Sequence, residues 1–99
     1  MVVGTLVVDL LLGDVRSLKQ KRAVVRPIIA ELRHRFDVAA AETGALDLHR
    51  RAELAVAVVS AEHAHAIDVL AACERFVAGR PEVELLGART RLLDDDDLD

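Results

Sequence analysis

The stretch from Ser17 to Phe36 constrains the fold more than any other part of the chain. Ser17 is a helix-capping residue placed directly before a periodic run. At 100° per residue, Leu18, Val24, Val25, Ile28, Ile29, Leu32 and Phe36 fall on one broad face. The stretch, with Arg16, holds seven of the thirteen bases against one acid, Glu31. A helix of this kind needs a layer to bury its apolar face. Pro27 lies inside it and deletes the hydrogen bond to the Ala23 carbonyl, which predicts a kink. The apolar face stays in register on both sides of Pro27, so one helix is predicted throughout.

The flanking segments supply the layer. Val2 to Leu12 alternates with a period of two. Gly4, Leu6, Val8, Leu10 and Leu12 share one face; Val3, Thr5, Val7, Asp9 and Leu11 share the other. Both faces are largely apolar, as suits a central strand. Gly13-Asp14 ends it. A second strand is read over Asp37 to Glu42, by context rather than propensity, because alanine favours helix. Residues 43–49 read as a loop or an irregular hairpin, and Arg51 to Ser60 is a third strand. Ser60 is then expected to cap a second helix, about Glu62 to Ala78, with Ala66, Val69, Leu70, Cys73, Phe76 and Val77 buried. Gly79-Arg80-Pro81 stops it, and Glu82 to about Leu93 is the last strand.

The order β-α-β-β-α-β, with right-handed crossovers, predicts an α+β ferredoxin-like plait. Its four-stranded antiparallel sheet has the expected order 4-1-3-2, with both helices on one face. Ninety-nine residues make one such domain, assigned to residues 1–93. Asp94, Asp95, Asp96, Asp97 and Asp99 supply five of the seventeen acids, so a disordered acidic tail is expected over residues 94–99. Without it, twelve acids face thirteen bases, and the formal net charge of −4 belongs to the tail.

Three strings resemble the YlxP-like family, a bacterial domain of unknown function. They are Ser17-Leu18-Lys19-Gln20-Lys21-Arg22 followed by Leu32-Arg33-His34-Arg35-Phe36; Asp47-Leu48-His49-Arg50-Arg51-Ala52 leading into Val56-Ala57-Val58-Val59-Ser60; and Pro81-Glu82-Val83-Glu84. The resemblance spans residues 1–93 and departs from the family at His49, where a bulky aromatic is usual. It implies a ferredoxin-like fold. Members are commonly encoded beside a translation initiation factor and a ribosome-binding factor, which implies a link to translation or ribosome maturation by association.

For function, the basic flank of the first helix is the sharpest feature. Lys19, Arg22, Arg26 and Arg33 gather in a narrow stripe, with Lys21, Arg50 and Arg51 as further candidates for contact with RNA phosphates. The competing reading is a solvated flank whose stems cover apolar edges. No strand contains an aromatic, which argues against base stacking on the sheet. Val3, Val7 and Leu11, beside small residues on the third strand, predict an open apolar face and a homo-oligomer, most simply a dimer.

The alternative function is a dimeric regulatory module binding a small anion at the Gly13-Asp14-Val15-Arg16-Ser17 turn. No catalytic set, metal site or cofactor is read from the sequence. The chain has no asparagine to pair with an arginine for acyl-phosphate hydrolysis, and His63 and His65 point apart on a helix. The sole cysteine, Cys73, belongs to a buried stripe. No apolar run reaches the roughly 20 residues of a membrane span, and the start lacks the features of a signal peptide. The expectation is a cytoplasmic, non-enzymatic accessory protein, with RNA or a ribosomal particle as partner.

Overall fold

The computed structural model describes residues 1–99. Its elements are β1 (Val2–Leu12), α1 (Leu18–Phe36), β2 (Ala39–Gly44), β3 (Arg51–Ser60), α2 (His63–Ala78), β4 (Val83–Leu93) and a terminal turn, α3 (Asp95–Leu98). The antiparallel sheet has the order β2-β3-β1-β4, which is the expected 4-1-3-2 read from the other edge. The fold is the ferredoxin-like α+β plait.

Alternation decides which side of the sheet is covered. On β1, Val2, Gly4, Leu6, Val8, Leu10 and Leu12 are buried, while the intervening residues are half-buried. Ala52, Leu54, Val56 and Val58 of β3 join the buried side. Val25, Ile28 and Leu32 of α1 and Ala66, Leu70, Cys73 and Val77 of α2 close it from above. The core is aliphatic. The only two aromatics, Phe36 and Phe76, meet at its margin, with ring centroids 5.6 Å apart and tilted by 58°. Arg35 lies over both rings and Arg80 over Phe76.

Helix α1 is continuous through Pro27. The Ser17 side chain accepts from the Gln20 amide at 3.1 Å, as a cap should. Pro27 is on the exposed side, so the carbonyl it orphans faces water rather than the core. Asp37 closes the helix in the left-handed conformation, φ 54°, and β2 therefore starts at Ala39 and not at Asp37. The cap of α2 is also displaced. Ser60 accepts from the Glu62 amide at 3.0 Å and shapes the turn, but the cap position itself is Glu62, which makes no side-chain cap bond. Strand β4 contains a bulge: Asp9 pairs with Gly87 and Leu10 with Leu85, leaving Leu86 as the extra residue. Where the sequence predicts no order from Asp94, one helical turn is present. Asp94 caps it reciprocally with Asp97, and three acids in the first turn suit the positive end of the backbone dipole. None of its residues is buried.

Two local features stand out between the sheet and the helices. At Gly4, a Cβ would lie 2.8 Å from Leu70 Cδ1 and 3.2 Å from Leu92 Cδ2, so these leucine side chains fill the space a β-carbon would need. At the start of α1, Lys21 occupies the core-facing stripe one turn before Val25 and is 2 % exposed. Its ammonium lies 2.8 Å from Glu42 Oε2 on β2 and donates to the Ala45 carbonyl at 2.7 Å. Glu42 Oε2 has no other partner. The pair ties the β2–β3 loop to α1.

Two outcomes follow. Gly4→Val is expected to lower the unfolding free energy by about 1–3 kcal/mol through overpacking against Leu70, measured by urea unfolding. Lys21→Ala leaves Glu42 without its only cation and is expected to cost about 3 kcal/mol, whereas Lys21→Met combined with Glu42→Leu restores most of it. Equal stabilities for all three Lys21 and Glu42 forms would contradict the pairing.

Candidate nucleic-acid interface

The apolar stripe of α1 dictates where its bases go. Val25, Ile28 and Leu32 turn toward the sheet, and a helix repeating every 3.6 residues then carries Lys19, Arg22, Arg26 and Arg33 onto the adjacent outward flank. All four are exposed. Lys19, Arg22 and Arg26 make no salt bridge and no side-chain hydrogen bond within the chain. The only acid on this helix, Glu31, is engaged elsewhere, 3.3 Å from Arg80. Ala23 and Pro27 lie beside the three bases and line, with them, a shallow open depression of about 610 Å³. Small side chains at its floor bring the helix backbone close to whatever lies on it.

Arg33 extends the stripe toward the sheet edge. Its Nε donates to the Ala40 carbonyl at 2.9 Å, which fixes the guanidinium beside β2. Arg26, Ile29, Ala30, Arg33, Ala41 and Glu42 border a second hollow of about 350 Å³ there. The basic surface thus runs along α1 and over the β2 margin.

The three remaining sequence candidates do not join it. Lys21 is a correction: it is interior and paired with Glu42, because it falls on the apolar stripe and not on the basic flank. Arg50 is fixed at the end of β1, its Nε donating to the Leu12 and Gly13 carbonyls at 3.2 and 2.8 Å. Arg51 pairs with Leu11 in the β1–β3 register, which puts it on the sheet face away from the helices. Two exposed bases missed from the sequence, Arg89 and Arg91, lie on that same open face, opposite Val7 and Thr5. Their spacing of two in a strand was the available signal.

Three donors of the strand–helix turn considered for an anion are engaged within the turn. The Arg16 amide donates to Gln20 Oε1 at 2.7 Å, the Val15 amide to the Gly13 carbonyl at 2.9 Å, and the Arg16 guanidinium to Asp14 at 3.1 Å. No three His, Cys, Asp or Glu side chains converge as a metal site. Glu42 and Glu53 turn to opposite faces of the sheet and make no carboxylate pair. Cys73 is fully buried, and loss of solvent raises its thiol pKa above the ordinary value, which keeps it a neutral core group.

No helix is long and apolar enough to cross a membrane. The sequence profile of the family described as a protein of unknown function, DUF503, matches residues 3–90. The chain is also similar to the uncharacterized protein YlxP of Bacillus subtilis, strain 168, with 30% identity over 82 residues, covering 83% of this chain and 89% of that protein. With the profile spanning nearly all of the plait, this chain belongs to the DUF503 family.

Proposed function

We propose that this protein is a non-enzymatic, cytoplasmic accessory module that self-associates and binds structured RNA, as in a ribosomal particle, through the outward flank of α1. The observation that carries the reading is the state of Lys19, Arg22 and Arg26. They are exposed, lack carboxylate partners and surround a depression floored by Ala23 and Pro27. Unpaired bases held 3 and 4 residues apart on a rigid helix suit successive phosphates, and each neutralised phosphate releases counterions. A solvated flank would serve solubility equally with acids interspersed; here the stripe itself carries none, and the neighbouring Glu42 on β2 is taken by Lys21.

The absence of strand aromatics favours backbone and shape recognition over base stacking, since both phenylalanines are engaged together at the helix ends. A single buried cysteine suits a reducing compartment. The half-buried apolar face of β1 supports self-association.

Titration of the protein against a structured RNA tests this. If three or four phosphates are contacted, a fourfold rise in salt weakens binding by roughly 20- to 150-fold. Arg22→Glu with Arg26→Glu abolishes measurable binding while leaving the circular dichroism spectrum unchanged. Salt-insensitive binding, or full affinity in the double variant, would refute it.

A further inference from the structure

The sheet face away from the helices combines an apolar centre with opposite charges placed asymmetrically around it. Register fixes the positions. Val3 pairs with Val59, Thr5 with Ala57, and Val7 with Ala55, while Ala39 and Ala41 of β2 continue the last two rows. Thr5, Val7, Ala39, Ala41, Ala55 and Ala57 line a shallow hollow of about 420 Å³ on this face. Val59 is 67 % exposed. Along the β4 margin, Arg91 and Arg89 sit opposite Thr5 and Val7. One step further along the strands, Asp9 and Glu53 pair directly with each other across β1 and β3. Two like charges in a directly opposed pair are unfavourable unless a cation joins them. The only salt bridge to either acid within the chain comes from Arg89, 3.6 Å from Glu53, with both side chains open to solvent at 68 % and 29 %; Arg51 stands on the same face, opposite Leu11, and makes no ion pair.

We infer that a second copy of this chain covers this face, with Arg89 and Arg91 of each copy lying over Asp9 and Glu53 of the other. The inference rests on the self-association in the function proposed above and gives it a surface and an orientation. The two arginines form a column along one strand, about 7 Å apart, and the two acids form a row across strands, about 5 Å apart. A column meets a row only when the two sheets cross steeply, as in orthogonal sheet packing. A two-fold axis in the plane of the interface, oblique to the strands, makes that exchange in both directions at once and passes close to Val7. The alanine and valine rows then pack on their own copies. Each face offers roughly 500 Å², so the pair buries about 1,000 Å² in all, the lower bound of a specific interface. Because the helices are on the other side of the sheet, the dimer leaves both α1 stripes outward.

Sedimentation of charge-reversed variants tests the inference. The unmodified chain is expected to be a dimer at micromolar concentration. Arg89→Glu/Arg91→Glu and, separately, Asp9→Lys/Glu53→Lys each set like charges against each other and weaken dimerisation by roughly tenfold or more. Mixing the two variants restores a heterodimer, because each inverted set then meets its complement. As a second measurement, Val7→Cys on the unmodified background is expected to crosslink between copies with a short bis-maleimide, the buried Cys73 staying unreacted. A monomer at millimolar concentration would overturn both the inference and self-association. A dimer unaffected by either reversal, with no crosslink at Val7, would overturn this face while leaving self-association and RNA binding by α1 intact. Loss of dimer in both variants without recovery on mixing would overturn the charge exchange.

Discussion

Burial of the α1 stripe against the sheet is the constraint from which the other features follow. Val25, Ile28 and Leu32 have no alternative to the core, since each is 2 % exposed or less. Burying three such side chains contributes several kcal/mol, each worth about 1.5–3 kcal/mol relative to exposure. That is enough to fix the rotation of the helix about its axis. Once the rotation is fixed, the placement of Lys19, Arg22, Arg26 and Arg33 is not free: they must stand on the outer flank. The positions from which the four bases leave the helix are therefore fixed, although the side chains of Lys19, Arg22 and Arg26 are held by no other group in the chain.

The same rotation explains the one base that goes inside. Lys21 shares the stripe with Val25, Ile28 and Leu32, and its burial is tolerable only because Glu42 and the Ala45 carbonyl meet the ammonium. A desolvated pair of this sort adds little net stability compared with two apolar residues, but it positions what it joins. Here it joins the first turn of α1 to the end of β2, the shorter and more weakly held edge of the sheet. The small residues have a comparable role. Gly4 leaves room for the Leu70 side chain against β1, and the alanines of β2 and β3 leave a shallow hollow on the open face.

Much of this was legible in the sequence because it depends on local period. The two-residue alternation of β1 and β3, the Ser17 cap and the continuity of α1 through Pro27 each follow from spacing alone, as does the topology that assembles them. The misreadings come from pairwise facts that spacing does not contain. Lys21 sits on the apolar stripe itself, in line with Val25, Ile28 and Leu32, but only the arrival of Glu42 from β2 makes the interior acceptable to its charge. Ser60 has a capping side chain, but the chain turns for two more residues before helical geometry begins. The β4 bulge shifts Leu86 out of register in a way no alternation reveals. The terminal acids that discourage packing also cap a helical turn, so composition and local geometry point in different directions there. In the candidate site, the four bases of the outer flank were legible from the helical wheel, whereas the fixing of Arg50 on the β1 carbonyls and the turn of Arg51 to the open face depend on strand register.

In the proposed function the two sides of the sheet serve different partners: RNA phosphates on the helix side, through the outer flank of α1, and a second copy on the open face. Backbone amide and arginine side-chain shifts recorded by NMR during titration with a structured RNA test that division most directly. The account predicts shift changes confined to Lys19, Arg22, Ala23, Arg26, Pro27-flanking amides and Arg33, with Thr5, Val7, Ala55 and Ala57 unmoved. Shift changes centred on the strands of the open face, with α1 silent, would contradict it.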